Sequence, residues 1–119
     1  MTQTATVKLT DFVIPNGTSI SNILPARSSY EDAQLILLTG ENVADGAITY
    51  TLEVTDDPEP SVASAWFTLQ DTGGDFVPPL QGKAKAAPLA ALSATGLRIK
   101  SSANVTASRT FGASKQYFM

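Results

Sequence analysis

The fold of this chain is decided by the stretch Ala47-Ile48-Thr49-Tyr50-Thr51-Leu52-Glu53-Val54-Thr55. From Ile48 onward, large apolar side chains alternate with threonine and glutamate. Successive side chains of a β-strand point to opposite faces, so the alternation predicts a strand with one face in a core and the other in water. The wet face is expected to carry Thr49, Thr51, Glu53 and Thr55.

Shorter stretches on both sides repeat the signal. In residues 97–101, Leu97 and Ile99 alternate with two cations, Arg98 and Lys100, which we expect to face solvent. The apolar run 35–38 lacks alternation and predicts a strand covered on both faces. The remaining predicted strands are 7–10, 65–69 and 110–113.

Turn residues separate these strands. Asn16-Gly17, Asp45-Gly46 and Gly73-Gly74 are dipeptides whose glycines accept a positive φ. Asp57-Pro58-Glu59-Pro60 and Pro78-Pro79 cannot continue a strand ladder, because proline lacks the amide donor. Strands separated in this way are typical of a sandwich or a barrel.

We therefore expect an all-β protein, a single antiparallel β-sandwich that is jelly-roll-like and spans residues 1–119. The termini are expected to be short arms, at about residues 1–6 and 114–119. At most one short helical turn is predicted, at Pro88-Leu89-Ala90-Ala91-Leu92, where proline occupies the first turn. We also expect the uncharged pair Phe76-Val77 to lie on an edge strand that a neighbour covers.

The composition excludes several kinds of chemistry. The 119 residues contain no cysteine and no histidine. This composition therefore excludes thiol nucleophiles, disulfides, Cys/His zinc sites, iron–sulfur clusters and imidazole-based triads. We expect no cofactor and no bound metal, and no enzymatic activity.

The charge balance points away from nucleic acid and membrane. Eight Lys and Arg against eleven Asp and Glu give a net charge of −3, with no basic patch for a phosphate backbone. No apolar run is long enough to span a bilayer, and Met1-Thr2-Gln3-Thr4 does not open a signal peptide. We therefore expect a soluble chain that is made inside the cell. Charged residues are only 16%, whereas Ser and Thr number 25, which suits surfaces packed against other proteins.

Two acidic segments have a functional and a structural interpretation. Asp71-Thr72-Gly73 matches the catalytic turn of aspartic proteases, whose two carboxylates share a proton. That family has apolar residues before the aspartate and an alanine after the glycine, where this chain has Gln70 and Gly74. An ordinary hairpin loop is favoured over a catalytic turn.

The segment Asp56-Asp57-Pro58-Glu59 also has two interpretations. It offers oxygens to a hard cation but lacks the pattern of a calcium loop, and a solvated turn is therefore favoured.

Aromatic residues supply the candidate partner-binding positions. Trp66 and Phe67 are adjacent, so on a strand one of them faces away from the core. Trp66 is expected to pack under a loop or against a subunit; alternatively it stacks a sugar ring, with Gln70 and Asp71 nearby. Tyr117, Phe118 and Met119 form an apolar tail, which is expected to dock on its own domain or on a partner.

The order of these segments along residues 5–115 carries a family resemblance. A turn at 14–21 is followed by the strands at 35–38 and 48–54, an aromatic strand and turn at 65–73, and arginine-bearing strands at 97–102 and 107–111. This order resembles small virion proteins of tailed bacteriophages, with short identities only. Ala107-Ser108-Arg109 stands where relatives often have Ala-Asp-Arg, so an ion pair from that acid is not expected here. The run to Met119 also differs from the abrupt ending typical of that family.

The resemblance implies a β-sandwich on the outside of a capsid. We expect a structural virion protein that decorates and cements a bacteriophage head by multivalent binding to the major capsid protein. It would be a homo-oligomer, for which a trimer is the natural expectation. Its localisation would be the capsid surface, after synthesis in the host cytoplasm. A tail-associated or carbohydrate-binding module is the alternative, and a retroviral-type aspartic protease built on Asp71 is the remote one.

Overall fold

The structure is a computed structural model that describes residues 4–25, 35–43, 47–71, 73–88 and 94–118. For residues 4–7, 35, 88 and 115–118 it describes the backbone only. The described residues form strands, turns and irregular segments and contain no helix. None of them lies in a helix long and apolar enough to cross a membrane.

Eleven strands are described. They are β1 Thr4–Lys8, β2 Phe12–Ile14, β3 Leu24–Pro25, β4 Leu35–Asn42, β5 Tyr50–Thr55, β6 Phe67–Thr68, β7 Gln70–Asp71, β8 Gly74–Asp75, β9 Ala84–Pro88, β10 Gly96–Ser101 and β11 Arg109–Phe118. All pairings between them are antiparallel.

The strands are arranged in two main sheets. Sheet A has the order β1-β11-β4-β9, and β2 pairs with the first half of β11 beside β1. Sheet B has the order β3-β10-β5-β6, and β7 and β8 form a separate hairpin. The long strand β11 is therefore the centre of sheet A, and the β5–β10 pair is the centre of sheet B.

The core lies between the inner faces of the two sheets. Ile36, Leu38 and Phe111 of sheet A are fully buried, as are Leu52, Leu97 and Ile99 of sheet B. The rings of Tyr50 and Phe111 meet edge to face across the two sheets, with their centroids 5.3 Å apart. The all-β antiparallel sandwich expected from the sequence is confirmed.

Most predicted strands are present, with shifted bounds. β4 extends the apolar run. Among the described side chains of that run, Ile36 and Leu38 are fully buried and Leu37, on the other face, is half-buried. Residues 109–118 form one strand where 110–113 was predicted. Gly17 and Gly74 have positive φ values of 83° and 116°, as their turns require.

Other expectations are corrected or lie outside the described residues. Phe76-Val77 is not a strand: Phe76 is buried and Val77 is half-exposed in an irregular segment. Pro88 ends β9, and the remainder of the predicted helical turn, residues 89–92, is outside the described residues, as is Asp45-Gly46. β9 itself was not predicted, because Ala84–Pro88 has little β-propensity.

Candidate functional site

The segment between β5 and β6, residues 56–66, folds back over the outer face of sheet B. We call it the strap. Pro60 lies against Gly96 of β10, so closely that a Cβ on Gly96 would be 2.8 Å from the Pro60 Cβ. The Thr95 hydroxyl donates to the carbonyl oxygens of Thr55, at 3.2 Å, and of Asp57. The strap therefore covers a face of β5 that the sequence predicted to be wet.

Asp57 holds the strap in its folded-back shape. Its Oδ2 accepts a hydrogen bond from the Ser64 hydroxyl at 2.7 Å, and its Oδ1 accepts the Glu59 backbone N–H at 3.0 Å. Both bonds favour the ionised carboxylate, so the Ser64 hydroxyl first and the Glu59 amide second lower the pKa of Asp57 below its usual value. The acidic segment 56–59 thus has a structural use.

This geometry predicts an acid dependence of stability. The folded carboxylate of Asp57 releases its proton at lower pH than the unfolded one, so its contribution is complete above the usual aspartate pKa of about 3.9 and is lost as pH falls through the lowered folded pKa. We expect the unfolding free energy of the wild type to fall more steeply than that of Ser64→Ala as the pH drops below about 4. Urea unfolding at several pH values measures both slopes. Parallel slopes would contradict this role of Asp57.

Beneath the strap, Glu53 of β5 and Arg98 of β10 form a buried ion pair. The two residues are direct partners in the strand register, and Arg98 Nε donates to Glu53 Oε1 at 2.8 Å. Each residue is only 7% exposed. The expectation that Glu53 and Arg98 face solvent is wrong, because the strap and Trp66 cover this part of sheet B.

Trp66 closes the site from the strap side. The Cζ atom of Arg98 lies 4.3 Å from the centroid of the Trp66 ring, a cation–π contact. The indole Nε1 donates to the Ser61 carbonyl at 2.9 Å, which fixes the ring within the strap. The sequence predicted that Trp66 would pack under a loop or against a subunit; in the structure it is half-buried within its own chain, and Phe67 is the exposed neighbour, at 59%.

One donor in the buried pair is unsatisfied. Nη1 of Arg98 is buried and has no hydrogen-bond partner among the described residues. A buried donor without a partner costs about 1–3 kcal/mol relative to a satisfied one. The Glu53–Arg98–Trp66 cluster thus fixes the strap but is imperfectly satisfied.

Asp71, the remote catalytic candidate, closes its own turn. Its Oδ1 accepts the Gly73 backbone N–H at 2.8 Å, between β7 and β8. Its Oδ2 lies 3.6 Å from Lys85 Nζ, and that ammonium group is 4.5 Å from the centre of the Phe76 ring. The other acid of this hairpin, Asp75, accepts a hydrogen bond from Gln70. These contacts give Asp71 the role of a turn-capping residue that ties the hairpin to β9.

Acidic groups do not gather elsewhere in the described part of the chain. Among residues 4–25, 35–43, 47–71, 73–88 and 94–118, no cluster of three or more acidic side chains is placed to hold a metal ion. In the segment 56–59, the carboxylate of Asp57 accepts hydrogen bonds from the Glu59 N–H and the Ser64 hydroxyl. Asp57 is the one with a defined structural task.

The two predicted terminal arms pair with each other. Tyr117 stands opposite Ala5, and Phe118 stands opposite Thr4, in the β1–β11 ladder. Met119, the third residue of the predicted tail, lies outside the described residues. The backbone of the tail is thus docked on its own domain, which was one of the two alternatives that the sequence left open.

The outer face of sheet A is a surface that the sequence did not predict. Alternation brings side chains of four neighbouring strands onto it, and two of them are charged: Leu37, Thr39 and Glu41 of β4, Ala84 and Ala86 of β9, Gly112 and Ser114 of β11, and Lys8 of β1, the partner of Ser114. Glu41 extends over Gly112, where an added Cβ would be 2.6 Å from its Oε1. Ala84 and Ala86 are exposed. The available sequence signal is the alternation of small residues in Ala84 and Ala86 around Lys85, which does not by itself predict a strand.

No protein-family model, curated protein or solved structure matches this chain. The fold and its sites define a class, an antiparallel β-sandwich with a strapped ion pair on one sheet and an outer face with exposed alanines on the other.

Proposed function

We propose that this chain is a structural virion protein that decorates and stabilises a bacteriophage capsid by multivalent binding to the major capsid protein. The observation that carries the proposal is the outer face of sheet A, where exposed Ala84 and Ala86 flank β4 and only Glu41 and Lys8 are charged among the side chains named above. Desolvating alanine, serine and threonine costs much less than desolvating ions, so such a face suits a dry protein contact.

Multivalency supports the same role. A capsid offers one binding site many times, so modest contacts by each copy add up when the copies are linked or neighbouring. A small rigid sandwich with a flat face meets this need without a moving part or a catalytic group. The low overall charge, 16% of residues, is consistent with a chain whose surfaces are covered in use.

The proposed contact surface differs from the one that the sequence suggested. Trp66 is engaged by Arg98 and the strap, and residues 114–118 pair with β1. Truncation of residues 115–119 would therefore remove four of the five residue pairs between β1 and β11 as well as the tail. Substitutions on the outer face of sheet A test the proposal more cleanly.

The expected result is loss of capsid binding in the double variant Ala84→Glu/Ala86→Glu. Each introduced carboxylate would have to be desolvated at the contact, and we expect binding to weaken at least tenfold, about 1.4 kcal/mol, per charge. The measurement is co-sedimentation with heads, prepared without this protein, of the phage that carries the gene. Wild-type protein that fails to sediment with these heads would contradict the proposed function.

The matched control places the same charges elsewhere. Ala63 in the strap and Ala107 before β11 are also exposed alanines, and neither is on sheet A's outer face. Ala63→Glu/Ala107→Glu is expected to bind heads as the wild type does. Equal weakening by both double variants would show that net charge, rather than this face, controls binding.

A further inference from the structure

The edges of the two sheets differ in how they are protected against pairing with another strand. An unprotected edge presents free N–H and C=O groups to any extended chain. β2 is closed by Asn22, whose Oδ1 accepts the Val13 N–H at 2.7 Å and whose Nδ2 donates to the Asp11 carbonyl at 3.0 Å. The side-chain amide thus takes the place of a neighbouring strand.

The other edges are protected by composition or length. β9 is as long as β1, but its Lys85 stands opposite the buried Leu38 and its last residue, Pro88, has no N–H to donate. On sheet B, β3 has two residues and ends at Pro25, and β6 has only Phe67 and Thr68. None of these edges offers a long, regular row of hydrogen-bonding groups.

β1 is the exception among the described strands. It is the end strand of sheet A, five residues long, and no described strand lies on its free side. The Leu9 N–H, one residue past β1, donates to the Ala113 carbonyl on β11 at 2.9 Å. Because hydrogen-bonding direction alternates along an antiparallel strand, the backbone groups of Ala5 and Val7 also face β11, and those of Thr4, Thr6 and Lys8 face the free side.

We propose that this free edge of β1 pairs with β1 of a second copy of the chain, antiparallel and centred on Thr6. In that register Thr6 stands opposite Thr6 of the second copy, and Thr4 stands opposite Lys8. The three pairs use the outward groups of both strands in about six hydrogen bonds. The arrangement is two-fold and closed, as isologous interfaces are.

The sequence of β1 favours a second copy as the occupant. Thr-Ala-Thr-Val-Lys has no acidic residue and a single cation, and the register places that cation opposite threonine, so no like charges meet. The threonine pair at the centre is a favourable cross-strand combination. The pairing also joins two copies of sheet A into one continuous sheet, with two outer faces side by side.

The inference does not depend on the proposed capsid role. If both hold, the dimer doubles the number of contacts that one particle makes with a lattice. It also differs from the trimer that the family resemblance suggested, because a two-fold edge pairing does not close into a ring of three. The mass in solution therefore tests the dimer, and co-sedimentation with heads tests the capsid role, so that one proposal can be contradicted without the other.

The experiment uses the absence of cysteine from the chain. In a Thr6→Cys variant, the two cysteines face each other across the two-fold axis at a Cα separation of about 5.5 Å, which is within disulfide range. We expect rapid oxidation to a covalent dimer of twice 12.5 kDa. The control Thr106→Cys places the thiol at an exposed position in the segment before β11, and we expect it to cross-link much more slowly.

A backbone variant gives an independent test. Thr6→Pro removes an outward N–H without touching the bonds to β11, and Thr6→Ala keeps the N–H. By light scattering at high protein concentration, the wild type and Thr6→Ala are expected to be dimers and Thr6→Pro a monomer. A wild-type mass of one or three chains, or equal cross-linking of the two cysteine variants, would overturn the proposal. If Thr6→Pro fails to fold, the difference in cross-linking between Thr6→Cys and Thr106→Cys tests the proposal on its own.

Discussion

Replacing Glu53 by methionine is expected to lower the free energy of unfolding by about 3–5 kcal/mol, because it leaves the Arg98 charge buried without its partner. Arg98 is 7% exposed and lies between the strap and β5, so water cannot replace the lost carboxylate without displacing Trp66. The strap as a whole is therefore expected to loosen when the pair is broken.

The double variant Glu53→Met/Arg98→Met is expected to be far more stable than the Glu53→Met single variant. Replacing a buried ion pair by apolar side chains of similar size is often neutral or stabilising, since both desolvation costs disappear. Here the unsatisfied Nη1 of Arg98 disappears as well. The loss of the cation–π contact with Trp66 opposes this by about 1–2 kcal/mol.

Urea unfolding of the wild type, both single variants and the double variant measures the coupling between the two residues. Trp66 is the only tryptophan in the chain, so its fluorescence reports directly on the strap. A double variant that loses as much stability as the two single variants combined would contradict a coupled pair. It would indicate that each side chain acts through packing alone.

The centre of the sandwich could be predicted from local pattern. Alternation in residues 47–55 and 97–101 predicted β5 and β10 because both strands have one face in the core, where large apolar residues must recur at every second position. Alternation shows which residues face inward. It carries no information about what covers the opposite face, so it wrongly predicted that Glu53 and Arg98 face solvent.

The strapped site could not be predicted because its parts come from distant segments. Asp57 and Pro60 were interpreted as a turn that breaks the ladder, which is correct locally, but nothing in their sequence shows that the turn folds back over β10. Trp66 was identified as notable from its size and position. Its partner, Arg98, is determined by the β5–β10 register and the course of the strap together.

β9 was missed for a related reason. Alanine, lysine and proline are poor strand formers, so Ala84–Pro88 carries no local signal. The strand exists because β4 offers it an open edge, with Ile36 opposite Ala87 and Leu38 opposite Lys85. Pairing with β4 stabilises a strand that local propensity does not favour, and this pairing places Ala84 and Ala86 on the outer face of sheet A.

Gly40→Ala is expected to destabilise the chain by about 3 kcal/mol, at the upper end of overpacking effects, or to prevent folding. Gly40 lies in β4, and the segment 79–83 crosses directly over it. The Gly40 N–H donates to the Lys83 carbonyl at 3.0 Å, and the Gly82 N–H donates to the Gly40 carbonyl at 2.9 Å. A Cβ on Gly40 would overlap the carbonyl group of Leu80 and would lie 2.8 Å from the Pro79 carbonyl oxygen.

The reason for so large an effect is that the obstacle is backbone rather than a flexible side chain. Relief requires the whole 79–83 segment to move, which would break both hydrogen bonds and uncover the inner face near Phe111, the partner of Gly40 in the register. Gly73→Ala is the matched control, since its Cβ would meet only Asp71 Oδ1, at an ordinary 3.6 Å. Thermal and urea unfolding of the two variants should separate them widely; a Gly40→Ala protein as stable as Gly73→Ala would show that the 79–83 segment does not press on β4.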